Sequence, residues 1–153
     1  MKKLLLLFVC MAFVMGISAM NQKDEKIPAA AKTGFATKFP DAQKVKWSVE
    51  KPGEFEAEFK QNGTQTSVLV DDKGNMLETE TRIKEAELSQ GVKDAIAKDF
   101  AGYKIDKIEK VTDTNGVTTF EMEAVKGKDK FEISFDSNGK LLSKESLKEE
   151  KED

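Results

Sequence analysis

The 153-residue sequence contains no histidine, one cysteine, three prolines and a single tryptophan and tyrosine. Without histidine it cannot form a Ser-His-Asp triad or a Cys-His dyad, and most zinc sites are also excluded. Its 25 Lys and Arg against 28 Asp and Glu give a net charge of −3. This balance argues against nucleic acid as a partner, because nucleic-acid binders carry a basic surface. With 39% hydrophobic residues, the chain can still build a core. No cofactor is expected.

The N-terminus has the layout of a secretory signal peptide. Two lysines open the chain, and an apolar run extends from Leu4 to about Ile17, followed by small residues up to Ala19. This run is shorter than the roughly 20 residues that a membrane-spanning helix needs. We therefore predict a signal peptide at 1–19, a polar linker at 20–26 and no stable membrane span after cleavage. The expected location is the periplasm or the cell exterior.

Cys10 raises the alternative of a lipoprotein signal, since it lies three residues after Leu7. Bulky Val9 stands where such signals need a small residue, and only six apolar residues precede Cys10, so we expect no lipidation. Cleavage near Ala19 would remove Cys10 and two lysines, leaving 23 basic and 28 acidic residues and a net charge of −5. Disulfides, although permitted in an exported protein, would then be impossible.

The remaining chain contains two similar copies of one unit. The helical segment that ends at Phe39-Pro40-Asp41-Ala42 recurs 61 residues later, and Phe55-Glu56-Ala57-Glu58 recurs 65 residues later as Phe120-Glu121-Met122-Glu123. The second copy thus has about four extra residues, which we place near the turn at 112–117. The predicted boundaries are repeat 1 at 27–83, a connection at 84–87, repeat 2 at 88–147 and a charged tail at 148–153.

Each copy is predicted to begin with a helix and continue with four strands. Apolar residues recur every four positions from Ile27 to Phe39, which is typical of a helix that buries one face, and Ser89 stands near the N-cap of the second helix. The period then changes to two, which indicates antiparallel strands with one buried face and one solvated face. Because a unit of about 60 residues buries little surface alone, we expect the copies to share one sheet.

The strand pattern assigns individual side chains to the two faces. Trp47 shares the phase of Val45 and Val49, which predicts a core position for all three, whereas Leu69 and Met76 fall in the outward phase. The first strand of the second copy is irregular: its apolar residues recur every three positions (Ile105, Ile108, Val111), and this spacing suggests a β-bulge.

Two Asp-rich segments could be taken for calcium loops, namely Asp71-Asp72-Lys73-Gly74 and Asp136-Ser137-Asn138-Gly139. A calcium loop of the EF-hand type needs about six ligands spread over twelve residues. These segments are instead four-residue connections between strands, where Asp and Asn favour tight turns and Gly supplies positive φ. We therefore interpret them as turns and predict no metal site.

Acidic residues alternate along one side of the second strand of each copy, at Glu54, Glu56 and Glu58 and again at Glu121 and Glu123. Paired carboxylates can hydrolyse glycosides across a cleft. Nothing in the sequence indicates a desolvating pocket that would raise the pKa of one of them. A solvated charged face is therefore the preferred interpretation, and a carboxylate-based hydrolase is the minor alternative.

Four segments carry a resemblance to a known family: Phe39-Pro40-Asp41-Ala42, Val45-Lys46-Trp47, Phe55-Glu56-Ala57-Glu58-Phe59 and the stretch 70–80. Together they resemble the PepSY-like, β-lactamase-inhibitor-like proteins, which are common exported proteins of gut Bacteroidetes. The resemblance implies an eight-stranded antiparallel sheet with helices on one side and a periplasmic or outer-surface location. The predicted fold is therefore α+β, a tandem repeat of one helix plus four antiparallel strands joined into an eight-stranded sheet with helices on one face.

The resemblance implies no catalytic motif. True β-lactamase inhibitory proteins cup their target with the open sheet face and insert an acidic hairpin tip. The corresponding hairpin here, Lys60-Gln61-Asn62-Gly63-Thr64, carries no acid, and the inhibitor's disulfides cannot form. These departures argue against β-lactamase inhibition and leave inhibition of a peptidase or another envelope hydrolase as the alternative function.

The sequence thus favours a non-enzymatic exported module that binds another exported or envelope protein through the open face of its sheet. The candidate contact residues share the outward phase of the first copy: Lys46, Ser48, Glu54, Glu56, Glu58, Gln65, Ser67, Leu69, Glu78, Glu80 and Arg82.

Overall fold

Eight strands follow one another in chain order across one antiparallel sheet in the computed structural model, which describes residues 27–147. The predicted signal peptide, linker and tail lie outside the described residues. The elements are α1 (Ala29–Lys38), β1 (Gln43–Lys51), β2 (Glu54–Gln61), β3 (Thr64–Asp71), β4 (Met76–Arg82), a short 3-10 helix (Glu85–Glu87), α2 (Gln90–Asp99), β5 (Lys104–Asp113), β6 (Thr118–Lys126), β7 (Asp129–Asp136) and β8 (Leu141–Ser146). The α+β architecture with a helix and four strands in each repeat is confirmed.

Each helix packs on the strands of its own repeat, and the two cores remain separate. The core around α1 includes Phe35, whose ring meets that of Phe59 edge-on with centroids 5.0 Å apart. The core around α2 includes Ile96, Phe100 and Phe135. Among the described residues, the two buried clusters have no member in common. Apolar burial therefore stabilises each repeat individually.

The helix boundaries follow from local chemistry. Pro28 stands immediately before α1, where its missing N–H removes no helical hydrogen bond. The hydroxyl oxygen of Ser89 accepts a hydrogen bond from the Val92 N–H at 3.3 Å, as predicted for the N-cap of α2.

The predicted bulge in β5 is confirmed. The register with β6 shifts between Asp106 and Glu109, and Lys107 between them adopts a positive φ of 48°. A second bulge lies near the start of β1, where Lys44 has a φ of 57°. An extra residue is the reason why apolar side chains of β5 do not follow the period of two.

The Asp-rich segments are turns, as predicted. One carboxylate oxygen of Asp71 accepts hydrogen bonds from the backbone N–H groups of Lys73 (2.9 Å) and Asn75 (2.8 Å). Asp136 accepts from the backbone of Asn138 and Lys140 in the same way. A hydrogen bond from the Asn75 side-chain amide, followed by that from the Asn75 backbone N–H, holds the pKa of Asp71 below its ordinary value. The carboxylates thus serve the turn backbone.

Four of the predicted face assignments need correction or qualification. Val45 and Val49 are 37% and 36% exposed, because β1 is an edge strand with a neighbour on one side only. Met76 packs against the first core, since a register shift after Leu69 places it opposite Val70. Trp47 does pack on the core, 5.4 Å from the ring of Phe35, although it is only partly buried.

Glycine allows α1 to approach the β3–β4 turn at the level of the backbone. A Cβ atom on Gly34 would overlap the carbonyl oxygen of Gly74. In the second repeat, a Cβ atom on Gly91 of α2 would overlap the carbonyl oxygen of Asn138 in the β7–β8 turn. Two glycines that would otherwise weaken their helices are therefore required by the contact between helix and turn.

We expect Gly34→Ala to destabilise the protein by about 1–3 kcal/mol, since the methyl group forces the helix away from the turn. Helix propensity alone would give the opposite sign, a gain of up to about 1 kcal/mol. Chemical denaturation measures the difference, and Thr33→Ala at an exposed position of the same helix is the control. A stabilised Gly34→Ala protein would contradict the proposed contact.

Candidate protein-binding face

The strand register places all eleven predicted contact residues on the sheet face opposite the helices. One transverse row joins Lys46, Glu58, Ser67 and Glu80 through directly paired positions on β1 to β4. The neighbouring row joins Ser48, Glu56, Leu69 and Glu78 in the same manner. We call this surface the open face. Its residues come together because side chains two positions apart point to the same side of a strand.

The open face continues across the second repeat, beyond the predicted residues. Arg82 pairs with Glu109 of β5, Glu109 pairs with Glu121 of β6, and Glu121 pairs with Ser134 of β7. Acidic alternation predicts Glu121 and Glu123 on this face, although they are not among the candidate contact residues. Glu109 was harder to find, because the bulge at Lys107 interrupts the alternation of β5.

The centre of the open face is less solvated than predicted. Glu78, Glu121 and Glu123 are only 8%, 6% and 8% exposed. Each lies on an inner strand of the sheet, so that strands on both sides shield it from water. The expectation of a fully solvated charged face is therefore wrong for these carboxyl groups, and no sequence period reports such cross-strand shielding.

Shielding and mutual repulsion make two of the carboxyl groups poor acids. Burial, followed by repulsion from Glu80 and Glu121, raises the pKa of Glu78 to about 8. Burial, followed by repulsion from Glu109 and Glu121, raises the pKa of Glu80 to about 7. A hydrogen bond from the Ser67 hydroxyl, at 3.1 Å, acts against this increase by favouring the charged form of Glu80.

Basic side chains neutralise other parts of the open face. The ammonium groups of Lys107 and Lys130 contact the two carboxylate oxygens of Glu123 at 2.9 and 3.1 Å. The guanidinium of Arg82 lies 3.2 Å from Glu109, where burial still raises the pKa of the carboxyl group above its ordinary value. Within residues 27–147, neither Glu78 nor Glu80 makes an ion pair. The least compensated negative charge therefore lies on β4.

The raised pKa values of Glu78 and Glu80 would suit a general acid, but a general acid must also face a cavity that holds the substrate. A depression of about 360 Å³ is lined by Gln65 and Arg82 together with Gly63, Thr64, Thr81, Ile83, Lys84 and Glu87, and it includes neither Glu78 nor Glu80. No group of three or more acidic or thiol side chains in the described part of the chain is arranged to hold a metal ion.

Eight antiparallel strands in one sheet, with helices on one side and an acidic open face on the other, define a two-layer α+β fold built from two repeats. The family model described as "Putative beta-lactamase-inhibitor-like, PepSY-like" matches residues 19–78 and 53–143, and the chain belongs to this family. The two matches overlap at 53–78 and together extend from 19 to 143. The predicted family resemblance is confirmed.

Solved structures from Bacteroides species share the fold. A protein of Bacteroides eggerthii described as "putative periplasmic" is 20% identical, with a TM-score of 0.73 over 78% of this chain and 88% of its own. A DUF2874 family protein of Bacteroides uniformis is 21% identical, with a TM-score of 0.72 over the same shares. A BLIP-like protein of Bacteroides fragilis is 22% identical, with a TM-score of 0.68 over 82% of this chain and 91% of its own.

No curated protein sequence matches the chain. Between residues 27 and 147, no helix is long and apolar enough to cross a membrane.

We expect Lys130→Met to destabilise the protein by about 1–2 kcal/mol, because it leaves the shielded Glu123 with one cation instead of two. The matched control is Lys104→Met, which removes an exposed pair with Asp106 and is expected to leave the stability nearly unchanged. Urea unfolding of both variants tests the difference. Equal effects would contradict the special role assigned to the Glu123 cations.

Proposed function

We propose that the protein is a non-enzymatic exported module that binds another exported or envelope protein through the open face. One observation supports this proposal. The helices leave one whole face of the sheet uncovered, and its inner strands present acidic side chains. The acidic side chains on β4 make no ion pair with a basic side chain among the described residues. A partner that brings basic groups to this surface would supply the missing charge and complete the burial of the carboxyl groups.

The composition of the open face also suits a protein partner. Leu69 is partly exposed and lies between Glu56 and Glu78, the residues paired with it on β2 and β4. An apolar side chain within a charged surround is the usual arrangement of a protein interface, where the centre excludes water and the rim stays polar. The accessible cavity is small and lies at the margin, which favours a flat partner over an enclosed small molecule.

An exported location rests on two supports. The N-terminal pattern from Leu4 to Ala19 is typical of a signal peptide, and a protein with the same fold is described as periplasmic. An envelope protein that presents basic residues would have access to the open face in that compartment.

Site-specific photo-crosslinking in a native envelope tests the proposal. A photoreactive residue at the exposed Gln65 on the open face should yield a discrete adduct, and the same residue at the exposed Ala97 on α2 should not. Glu56→Lys with Glu58→Lys should reduce the Gln65 adduct about tenfold or more, because two favourable charge contacts become repulsive.

The control is Asp94→Lys with Asp99→Lys, an identical change of charge at exposed positions of α2. This variant should retain the Gln65 adduct. An adduct that survives reversal on the open face, or one that both double variants lose equally, would exclude the open face as the binding surface.

Enzyme inhibition is the second candidate, and the family description together with the BLIP-like relative supports it. A peptidase or another envelope hydrolase fits better than a β-lactamase, since the tip of the β2–β3 hairpin, Asn62-Gly63, offers no acidic side chain to a target.

We expect the purified protein to lower the activity of at least one envelope hydrolase at micromolar excess, if inhibition is its role. The Glu56→Lys, Glu58→Lys double variant should relieve that inhibition, and the Asp94→Lys, Asp99→Lys double variant should not. A panel of peptidases, glycosidases and β-lactamases that retains full activity would rule out this candidate while leaving the binding proposal intact.

A further inference from the structure

The two repeats meet along a single strand pair, β4 with β5. Paired residues on β4 run from Glu78 to Arg82, opposite Asp113 to Glu109 on β5. One core lies on each side of this strand pair. The two buried clusters within residues 27–147 have no residue in common. We call this strand pair the joint. It is therefore stabilised mainly by backbone hydrogen bonds and by what lies on its two faces.

On the open face, the joint carries several acidic groups around one buried apolar residue, Val111. Glu78 lies opposite Asp113, and Glu80 lies opposite Val111, with Glu109 and Glu121 close enough to repel one or both. The ionisable groups that face this pair are Glu56 on β2, Arg82 on β4, Glu109 and Asp113 on β5, and Glu121 on β6.

Arg82 is the one cation among these groups, and it binds Glu109. When Glu78 and Glu80 carry protons, they can share hydrogen bonds, and the joint holds only the charges around them. When both lose their protons, two further negative charges appear in a shielded place where Arg82 already pairs with Glu109 and no described cation pairs with Glu78 or Glu80.

We infer that the joint is a pH-sensitive connection, which closes when Glu78 and Glu80 are protonated and loosens when they ionise, while each repeat keeps its own core. This inference goes beyond the proposed binding function and holds whether or not the open face binds a protein.

The direction of the effect follows from proton linkage. Because the pKa of Glu78 rises to about 8 and that of Glu80 to about 7, the folded joint binds more protons than the open one between these values and the ordinary carboxyl pKa. The closed joint is thus most favoured in mild acid, weakens as the pH rises from the ordinary carboxyl pKa, and changes little once the pH exceeds the raised pKa of Glu78, about 8.

Hydrogen exchange at individual amides tests the inference. After correction for intrinsic exchange rates, protection of the joint amides in β4 and β5 should fall between pH 6 and pH 9, by up to about tenfold per pH unit for each proton lost. Protection of the β2–β3 amides within repeat 1 should change far less. Equal loss in both places, or no loss at the joint, would overturn the inference.

Native fluorophores report whether the cores survive. The only tryptophan, Trp47, packs on Phe35 in the first core, and the only tyrosine, Tyr103, packs on Phe100 and Phe131 in the second. Trp47 emission and the near-ultraviolet signal of Tyr103 should stay native-like while the joint loosens. Loss of either signal in step with joint protection would mean global unfolding and contradict a local joint.

Glu78→Gln with Glu80→Gln mimics the protonated state and should abolish the pH dependence of joint protection. The matched control, Glu54→Gln with Glu58→Gln, removes two acids from the same face within repeat 1 that do not face this pair, and it should preserve most of the pH dependence. If the first double variant fails to fold, Glu78→Gln alone should halve the slope. A joint that keeps its full pH dependence in these Glu78 variants would refute the assignment.

Discussion

Everything in this structure depends on the antiparallel register, because a period of two divides each strand between two incompatible environments. Phe55, Ala57 and Phe59 must find apolar cover, and a helix from the same repeat supplies it. The opposite side of the same strand carries Glu54, Glu56 and Glu58. A second layer of helices on that side would bury their charges without partners. One uncovered acidic face is thus the direct consequence of where the apolar residues stand.

The extent to which the sequence predicts this arrangement varies along the chain. Regular alternation in β2, β3 and β6 determines both faces of those strands, and the caps at Pro28 and Ser89 locate the helices. Edge position and register shifts limit the prediction elsewhere. Val49 has the phase of a core residue but lacks a neighbour on one side, and a bulge moves Met76 inward.

The electrostatics of the open face required the tertiary structure. Each glutamate looks alike in the sequence, yet Glu123 receives two lysines while Glu78 receives none within the described chain. The difference arises from residues on neighbouring strands, which the strand register brings together. Lys107 and Lys130 reach Glu123 from β5 and β7, and the acids around Glu78 come from β4, β5 and β6. Cross-strand neighbours therefore decide which carboxyl groups are ordinary and which are perturbed.

The close contact between α1 and the β3–β4 turn limits where the fold can grow. Gly34 and Gly74 leave no room for side chains, so a lengthened turn there would separate the helix from its sheet. The β5–β6 turn is different: a Cβ on Gly116 would meet nothing within 4 Å, and Val117 is 57% exposed. This turn is also where the second repeat has its extra residues. Insertions and added loops can accumulate at that corner without disturbing either core, which makes it the natural point for new surface to evolve.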